Sequence, residues 1–221
     1  MKYYLFIVII IWQLFNNSSA NAQDKGNFSY LIDGSYIYYS LNSSKYSVEY
    51  QNSFNYEINT KLFYNVSNSF SIGFGFGYQN KDYFFMFNKP NTSGSLKREY
   101  KEKTLNLFFP VSYRKIKIKN IGLYINNAIV INYVLNYKIK VSNTDGSNMV
   151  YDNISFDKRT GLTYRFSIDF VKSLNKRTSI FISPFWNYKF QFEKLSYWDE
   201  ERFNLNDSNI SYGFSLGITF Y

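Results

Sequence analysis

From residue 211 to residue 220 every second residue is large and apolar. Tyr212, Phe214, Leu216, Ile218 and Phe220 occupy one phase; Ser211, Gly213, Ser215, Gly217 and Thr219 occupy the other. Successive side chains of a strand point to opposite faces, so a period of two predicts a ribbon with two unlike sides. The pattern recurs in Phe70, Ile72, Phe74, Phe76 and Tyr78 against Ser71, Gly73, Gly75, Gly77 and Gln79. Helical spacing is not sustained anywhere, and beyond the N-terminus no run approaches the ~18 apolar residues of a membrane helix. The alternation predicts eight strands, over about 28–40, 53–66, 69–85, 99–116, 121–140, 155–173, 178–194 and 208–221.

The predicted connections alternate in length. Those near Ser67-Asn68, Lys117 to Asn120 and Leu174 to Arg177 are tight, whereas 41–52, 86–98, 141–154 and 195–207 are long and polar. Short turns on one side, long loops on the other and an even strand number describe an outer-membrane barrel with both termini periplasmic. The expected fold is therefore all-β: an eight-stranded antiparallel up-and-down transmembrane β-barrel.

Alternation alone does not say which phase points outward. A soluble barrel of lipocalin type, exported and ligand-binding, would bury the apolar phase. The apolar phase here comprises even positions in 28–38, 54–66, 70–78, 162–170, 180–192 and 212–220, and odd positions in 105–113 and 121–139. None of these fifty positions is charged, and most are Phe, Tyr, Ile or Leu. Eight strands enclose an interior that side chains just fill, so such a set would overfill it. A lipid-facing surface excludes charge for a simple reason: Arg or Lys at the bilayer midplane costs ~2–4 kcal/mol. The apolar phase is accordingly assigned to lipid and the Gly, Ser, Thr and Asn phase to the lumen.

The N-terminus carries Met1-Lys2, an apolar run from Leu5 to Phe15 and the triplet Ala20-Asn21-Ala22. A positive start, a short apolar stretch and a small-x-small triplet describe a secretory signal peptide, with cleavage expected after Ala22. Residues 1–22 are thus a signal peptide and 23–221 the barrel domain, placing the chain in the outer membrane of a Gram-negative bacterium. The sequence contains no His and no Cys. That excludes Ser-His-Asp and Cys-His relays, thiolate chemistry and His- or Cys-ligated zinc. Neither a P-loop, a dinucleotide fingerprint nor metal-ligand spacing is present. No enzymatic activity, cofactor, metal site or nucleic-acid partner is expected.

The charged positions of the lumen phase include Asp33, Glu57, Lys61, Arg114, Arg165, Asp169 and Lys189. Enclosed charges must be paired or watered. If the first hairpin closes around residues 46–47, Asp33 falls almost opposite Lys61, which predicts an ion pair. Such a network serves either as a proton or ion path or as a plug of salt bridges, and the narrow interior favours the plug. Tyr38, Tyr78, Tyr113, Tyr137, Tyr164 and Trp186 near strand ends are candidate interfacial girdles. Pro110, inside a strong strand pattern, lacks the ladder donor and is expected to mark a bulge or bend. Tyr197, Trp198, Arg202 and Phe203 in a long loop are candidate surface contacts, since aromatics and Arg dominate interface hot spots. The segment Asn88 to Lys103 holds Lys89, Lys97, Arg98, Lys101 and Lys103, read as solvated rim charge or as a site for lipopolysaccharide phosphates or another anion.

The stretch LNLFFPVSYRK, Leu105 to Lys115, and the strand IGLYINNAIVINYVL that follows a short turn resemble the outer-membrane β-barrel domain family that includes PorT-like proteins. The motif covers about residues 104–135; the architecture covers most of the chain. The final strand resembles the carboxyl-end signal read by barrel-assembly machinery, although its apolar phase ends at Phe220 rather than at Tyr221. The resemblance implies no catalytic residues, and PorT-like members are linked to a secretion and gliding apparatus. The leading expectation is a small non-enzymatic integral barrel with a structural or surface-binding role. Its expected partners are outer-membrane lipid, the assembly machinery during insertion and a protein met through the loops. An accessory subunit of a secretion or gliding complex is the second reading.

Overall fold

The computed structural model describes residues 27–42, 48–52, 55–88, 95–118, 121–143, 148–152, 160–190 and 206–221. The predicted signal peptide, residues 1–22, lies outside them. Ten strands are formed: β1 (Phe28–Asn42), β2 (Val48–Asn52), β3 (Tyr56–Ser67), β4 (Phe70–Asn88), β5 (Ser95–Ile118), β6 (Ile121–Asn143), β7 (Asn148–Asp152), β8 (Thr160–Ser173), β9 (Thr178–Phe190) and β10 (Asn206–Phe220). Eight of them close a ring in the order β1-β3-β4-β5-β6-β8-β9-β10, each antiparallel to its neighbours. Closure is made by β1 on β10, from Tyr30 opposite Phe220 to Asn42 opposite Asn206. A closed ring leaves none of its eight strands with an unpaired edge, as a bilayer requires.

Along each strand large apolar residues face out and small or polar residues face in. Phe28, Ile58, Phe76 and Leu216 are 60%, 57%, 52% and 51% exposed, whereas Asp33, Asn59 and Ser179 are nearly inaccessible. Water does not tolerate a continuous apolar belt of this kind, and hydrocarbon does. The soluble-barrel alternative is thereby excluded, and the chain is an integral membrane β-barrel of the outer-membrane type. On β5 the belt runs from Leu105 to Tyr113, matching the ~9–11 residues with which a tilted strand spans a bilayer.

Rings of aromatic side chains bound the belt. Tyr38 stacks on Tyr212 at 4.9 Å, and Trp186, Tyr188 and Phe190 follow at 6.2 and 5.2 Å along β9. At the other end Phe28 meets Tyr64 at 5.2 Å. Polar groups on the outer surface find partners across strands: Thr60 donates to the Tyr30 hydroxyl at 2.6 Å, and the Tyr164 hydroxyl donates to Asn127.

Two of the tight turns fall among the described residues. At Asn68-Ser69 the Ser69 amide donates to Ser67 Oγ, and in Leu174 to Arg177 the Arg177 amide donates to Asn175 Oδ1 at 2.7 Å. Leu174 and Asn175 amides both donate to the Thr178 carbonyl, which closes the second turn.

The opposite rim departs from expectation. β4, β5 and β6 continue well above the belt, so the 86–98 connection shortens to 89–94. β2 and β7, inside segments read as long polar links, add to the two edges of this extension by pairing with β4 and β6. The result is a five-stranded wall, β2-β4-β5-β6-β7, standing on one side of the barrel mouth. Its outward phase on β5 is charged, with Lys97, Glu99, Lys101 and Lys103; a charged phase masks a strand that the apolar alternation would otherwise betray.

Two further expectations are corrected. The ladder runs through Pro110 without a register shift, and Pro110 is buried opposite Ala128. Its missing amide is accommodated instead by a gap in the β4–β5 ladder between the Ile72–Val111 and Gly75–Phe108 pairs. The bulges lie elsewhere, at Lys103/Thr104 and Arg114/Ile116 of β5. The first one shifts the phase of β6 by one residue; the backbone of Tyr137 pairs with that of Glu102, and the side chain of this expected girdle residue lies outside the described residues.

Candidate functional site

The enclosed volume of the barrel is the candidate site, and it is layered. Nearest the turns, Leu31, Phe63, Tyr124, Val171 and Phe181 form an apolar floor. These five inward positions depart from the small and polar lumen expected from the alternation. Phe181 is directly opposite Gly217, and higher up Phe185 is opposite Gly213. A Cβ on Gly213 would lie 2.1 Å from the Tyr36 carbonyl oxygen and 2.7 Å from Phe185 Cζ. The glycine therefore lets a strand and a ring come closer than any other residue would permit.

Above the floor sits the charged layer. The Arg165 guanidinium spans the barrel to Glu57 and makes a two-pronged contact, Nη1 to Oε1 at 3.0 Å and Nη2 to Oε2 at 2.8 Å. Arg165 Nε donates to Asn187 Oδ1 at 2.7 Å, and the guanidinium plane lies over Phe108 and Phe185 at 5.1 and 4.5 Å. Glu57 is fully buried and Arg165 nearly so. The planar fork matches a carboxylate and stacks on rings, which a lysine ammonium cannot do.

Lys61 Nζ is 2.8 Å from Asp33 Oδ2 and 5.1 Å from the centre of the Phe108 ring. Asp33 Oδ1 also accepts from Asn59 at 2.8 Å and from Ser35 at 3.1 Å. In the β1–β3 ladder Asp33 faces Asn59, so Lys61 reaches it diagonally from the next inward position. Asp169 Oδ1 accepts from Ser183 at 2.5 Å and from Ser167 at 3.3 Å. Phe108, wholly buried, thus separates two cations, each held by its own carboxylate.

Of the seven lumen charges named from sequence, Asp33, Glu57, Lys61, Arg165 and Asp169 come together in this layer. Lys189 is exposed near the upper end of β9, two positions above Asn187. The backbone of Arg114 pairs with that of Tyr124 beside a bulge, and its side chain lies outside the described residues. Tyr197, Trp198, Arg202 and Phe203 also lie outside them.

Sequence reasoning passed over one pair. Lys81 Nζ is 2.5 Å from Glu102 Oε1, which also accepts from Thr104 at 2.8 Å. The inward phases of β4 and β5 run straight through 81 and 102, so the signal was present. Outward-facing Lys101 and Lys103 flank Glu102, which places it above the hydrocarbon belt. Burial pushes the Glu102 carboxyl up, but the charges of Lys81 and Lys189, with hydrogen bonds from Lys81 and Thr104, outweigh it and hold it at about 2. Between these levels Asn106, Asn132 and Thr163 form a chain of hydrogen bonds at 2.8 and 2.6 Å.

Around the charged layer the residual cavity measures about 30 Å³, lined by Asp33, Lys61, Arg165, Asp169 and Phe108 among others. That is room for about two water molecules. The arrangement has the properties of a stopper. Its charges are cross-linked through side chains on strands far apart in the chain, and the cavity beside them holds little more than water.

No protein-family model and no curated protein matches the chain. Among solved structures it is similar to Neisserial surface protein A, with 12% identity and a TM-score of 0.46 over 87% of this chain and 96% of that one. It is also similar to Ail, the attachment invasion locus protein of Yersinia pestis, with 15% identity and a TM-score of 0.38 over 89% and 98%. For the outer membrane protein OprG from Pseudomonas aeruginosa the identity is 10% and the TM-score 0.42 over 90% and 98%.

Proposed function

We propose that the chain is a non-enzymatic barrel of the Gram-negative outer membrane that acts through the surface it displays, not through conduction or catalysis. The observation that carries this reading is the crossed lumen: the Arg165–Glu57 bridge and Phe108 span it, and the cavity beside them measures about 30 Å³. With no His in the chain, the relays that would support hydrolysis at a barrel rim are missing from its chemistry. Among the described residues the wall of β2, β4, β5, β6 and β7 projects beyond the membrane, and surface-displayed elements on a rigid scaffold are where contacts are made. Lipid, the assembly machinery during insertion and a protein partner at this rim are the proposed contacts.

Conductance in planar bilayers tests the reading. The barrel is expected to show no resolvable opening, and long-lived openings of hundreds of picosiemens would refute the stopper.

The PorT-like resemblance of Leu105 to Lys115 and Ile121 to Leu135 supports a second reading, an accessory subunit of a secretion or gliding complex. Cross-linking in cells followed by purification in mild detergent separates the two, since only the accessory role requires a stoichiometric protein partner.

A further inference from the structure

On the lipid side of the wall, lysines from two strands converge just above the belt. β5 presents Lys97, Glu99, Lys101 and Lys103 outward, followed by lipid-facing Leu105. The bulge at Lys103/Thr104 brings Lys138 and Lys140 of β6 onto the same face, with Lys101 directly opposite Lys138 and Glu99 opposite Lys140. Residues directly opposed across a ladder have Cβ atoms about 5 Å apart, and diagonal ones about 7 Å. The stems of Lys101, Lys103 and Lys138 therefore start close enough for their amines to meet on one tetrahedral anion.

Acids share this face. Asp82 lies 3.8 Å from Lys101, Glu99 lies 2.8 Å from Lys97, and Asp152 is opposite Lys138 in register. By register Glu49 of β2 also falls on this phase, through Met86 opposite Lys97, so five lysine positions stand against four acidic ones and the balance stays positive. Exposed pairs of this kind are weak and screened, so they do not hold the lysines away from a multivalent anion. Like charges directly opposed destabilise a sheet, and an anion between Lys101 and Lys138 relieves that cost.

Position names the occupant. Leu105, Tyr133 and Leu135, all about 43% exposed, form the apolar surface directly beneath the amines. That surface is already covered by acyl chains, so the lysines stand at the level of lipid head groups, with their stems lying along the apolar surface. We propose that Lys101, Lys103, Lys138 and Lys140 bind the phosphate of an anionic lipid in the outer leaflet. Free phosphate shares the charge chemistry but has no chain to lay on Leu105, Tyr133 and Leu135. The inference rests on the membrane placement and gives the surface-binding role a ligand class.

The test uses the full chain refolded in mild detergent and titrated with short-chain phosphatidic acid, with phosphatidylcholine of the same chains and with inorganic phosphate. Bound lipid is counted by native mass spectrometry. Saturable uptake of phosphatidic acid is expected, with phosphatidylcholine weaker and equimolar inorganic phosphate unable to compete. The variant Lys101→Gln/Lys103→Gln should lose roughly fivefold per lysine, the factor a basic residue contributes at an anionic lipid surface. The control Lys176→Gln/Arg177→Gln, at the opposite rim, should bind as the parent does.

Unchanged binding in Lys101→Gln/Lys103→Gln/Lys138→Gln/Lys140→Gln would overturn the proposal. Full competition by inorganic phosphate would overturn the lipid assignment. These side chains are exposed, so folding is checked independently by heat-dependent migration on gels. A barrel that fails to insert even into phosphatidylcholine vesicles would instead refute the membrane placement.

Discussion

Cutting the Arg165–Glu57 bridge should destabilise the barrel by an amount that depends on which partner is removed. Glu57 is fully buried, and Arg165 supplies both of the nitrogens that reach its carboxylate oxygens. Arg165→Met strands that carboxylate in an enclosed interior, and breaking a buried pair in this way costs about 3–5 kcal/mol. The upper end applies here. Glu57→Gln leaves the guanidinium with Asn187 at 2.7 Å and with two ring faces at 5.1 and 4.5 Å. Ring contacts retain about 0.5–2 kcal/mol each when desolvated, so this variant should lose nearer 2–3 kcal/mol. The double variant removes both charges and should cost less than Arg165→Met alone, a coupling of about 2–4 kcal/mol against additivity. Urea unfolding of the barrel in phospholipid vesicles, followed by tryptophan emission in a Trp198→Phe background that leaves Trp186 at the membrane boundary, measures all three. Two additive losses below about 1 kcal/mol each would refute the bridge as a structural element.

Gly213→Ala should weaken or prevent barrel closure, because its methyl would lie 2.1 Å from the backbone oxygen of Tyr36; overpacking of this kind costs about 1–3 kcal/mol or more. Gly34→Ala, which meets nothing within 4 Å on the outer face of the partner strand, should leave the urea midpoint within experimental scatter. Equal effects of the two would contradict the register of β1 on β10. The Glu102 carboxyl lies at about 2, below its ordinary 4.5, so its contribution to stability is complete above pH 4.5 and is lost as pH falls through about 2. Carbon-13 titration in micelles should find it still ionised at pH 3, and Lys81→Met should move its midpoint upward; a midpoint near 4.5 in the parent would refute the pair.

The two faces of the barrel were legible because each strand reports its own orientation. Phe74, Leu216 and Ile218 face out while Asp33 and Arg165 face in, and a period of two needs no knowledge of neighbours. What depends on neighbours was not legible. Arg165 and Glu57 are separated by 108 residues, and only a closed ring brings β8 across to β3. The phase change in β6 comes from a bulge opposite Lys103/Thr104, for which local composition carries no warning. Residues 95–98 and 141–143 were read as connections, because the rule that exposes a membrane strand, an unbroken apolar phase, ends where the membrane ends. The interior phenylalanines were hidden for a different reason. Phe63, Phe108, Phe181 and Phe185 lie in the phase of small residues, and what admits them is glycine on the next strand.

Interleaving the two faces residue by residue has a consequence before the barrel exists. Hydrocarbon-seeking side chains are never contiguous for long after the N-terminal segment, so a machine that sorts nascent chains by unbroken greasiness has nothing in residues 27–221 to hold on to. The polypeptide travels as an ordinary hydrophilic cargo, and its affinity for a bilayer comes into being only when pairing along the ladders gathers every second residue onto one side.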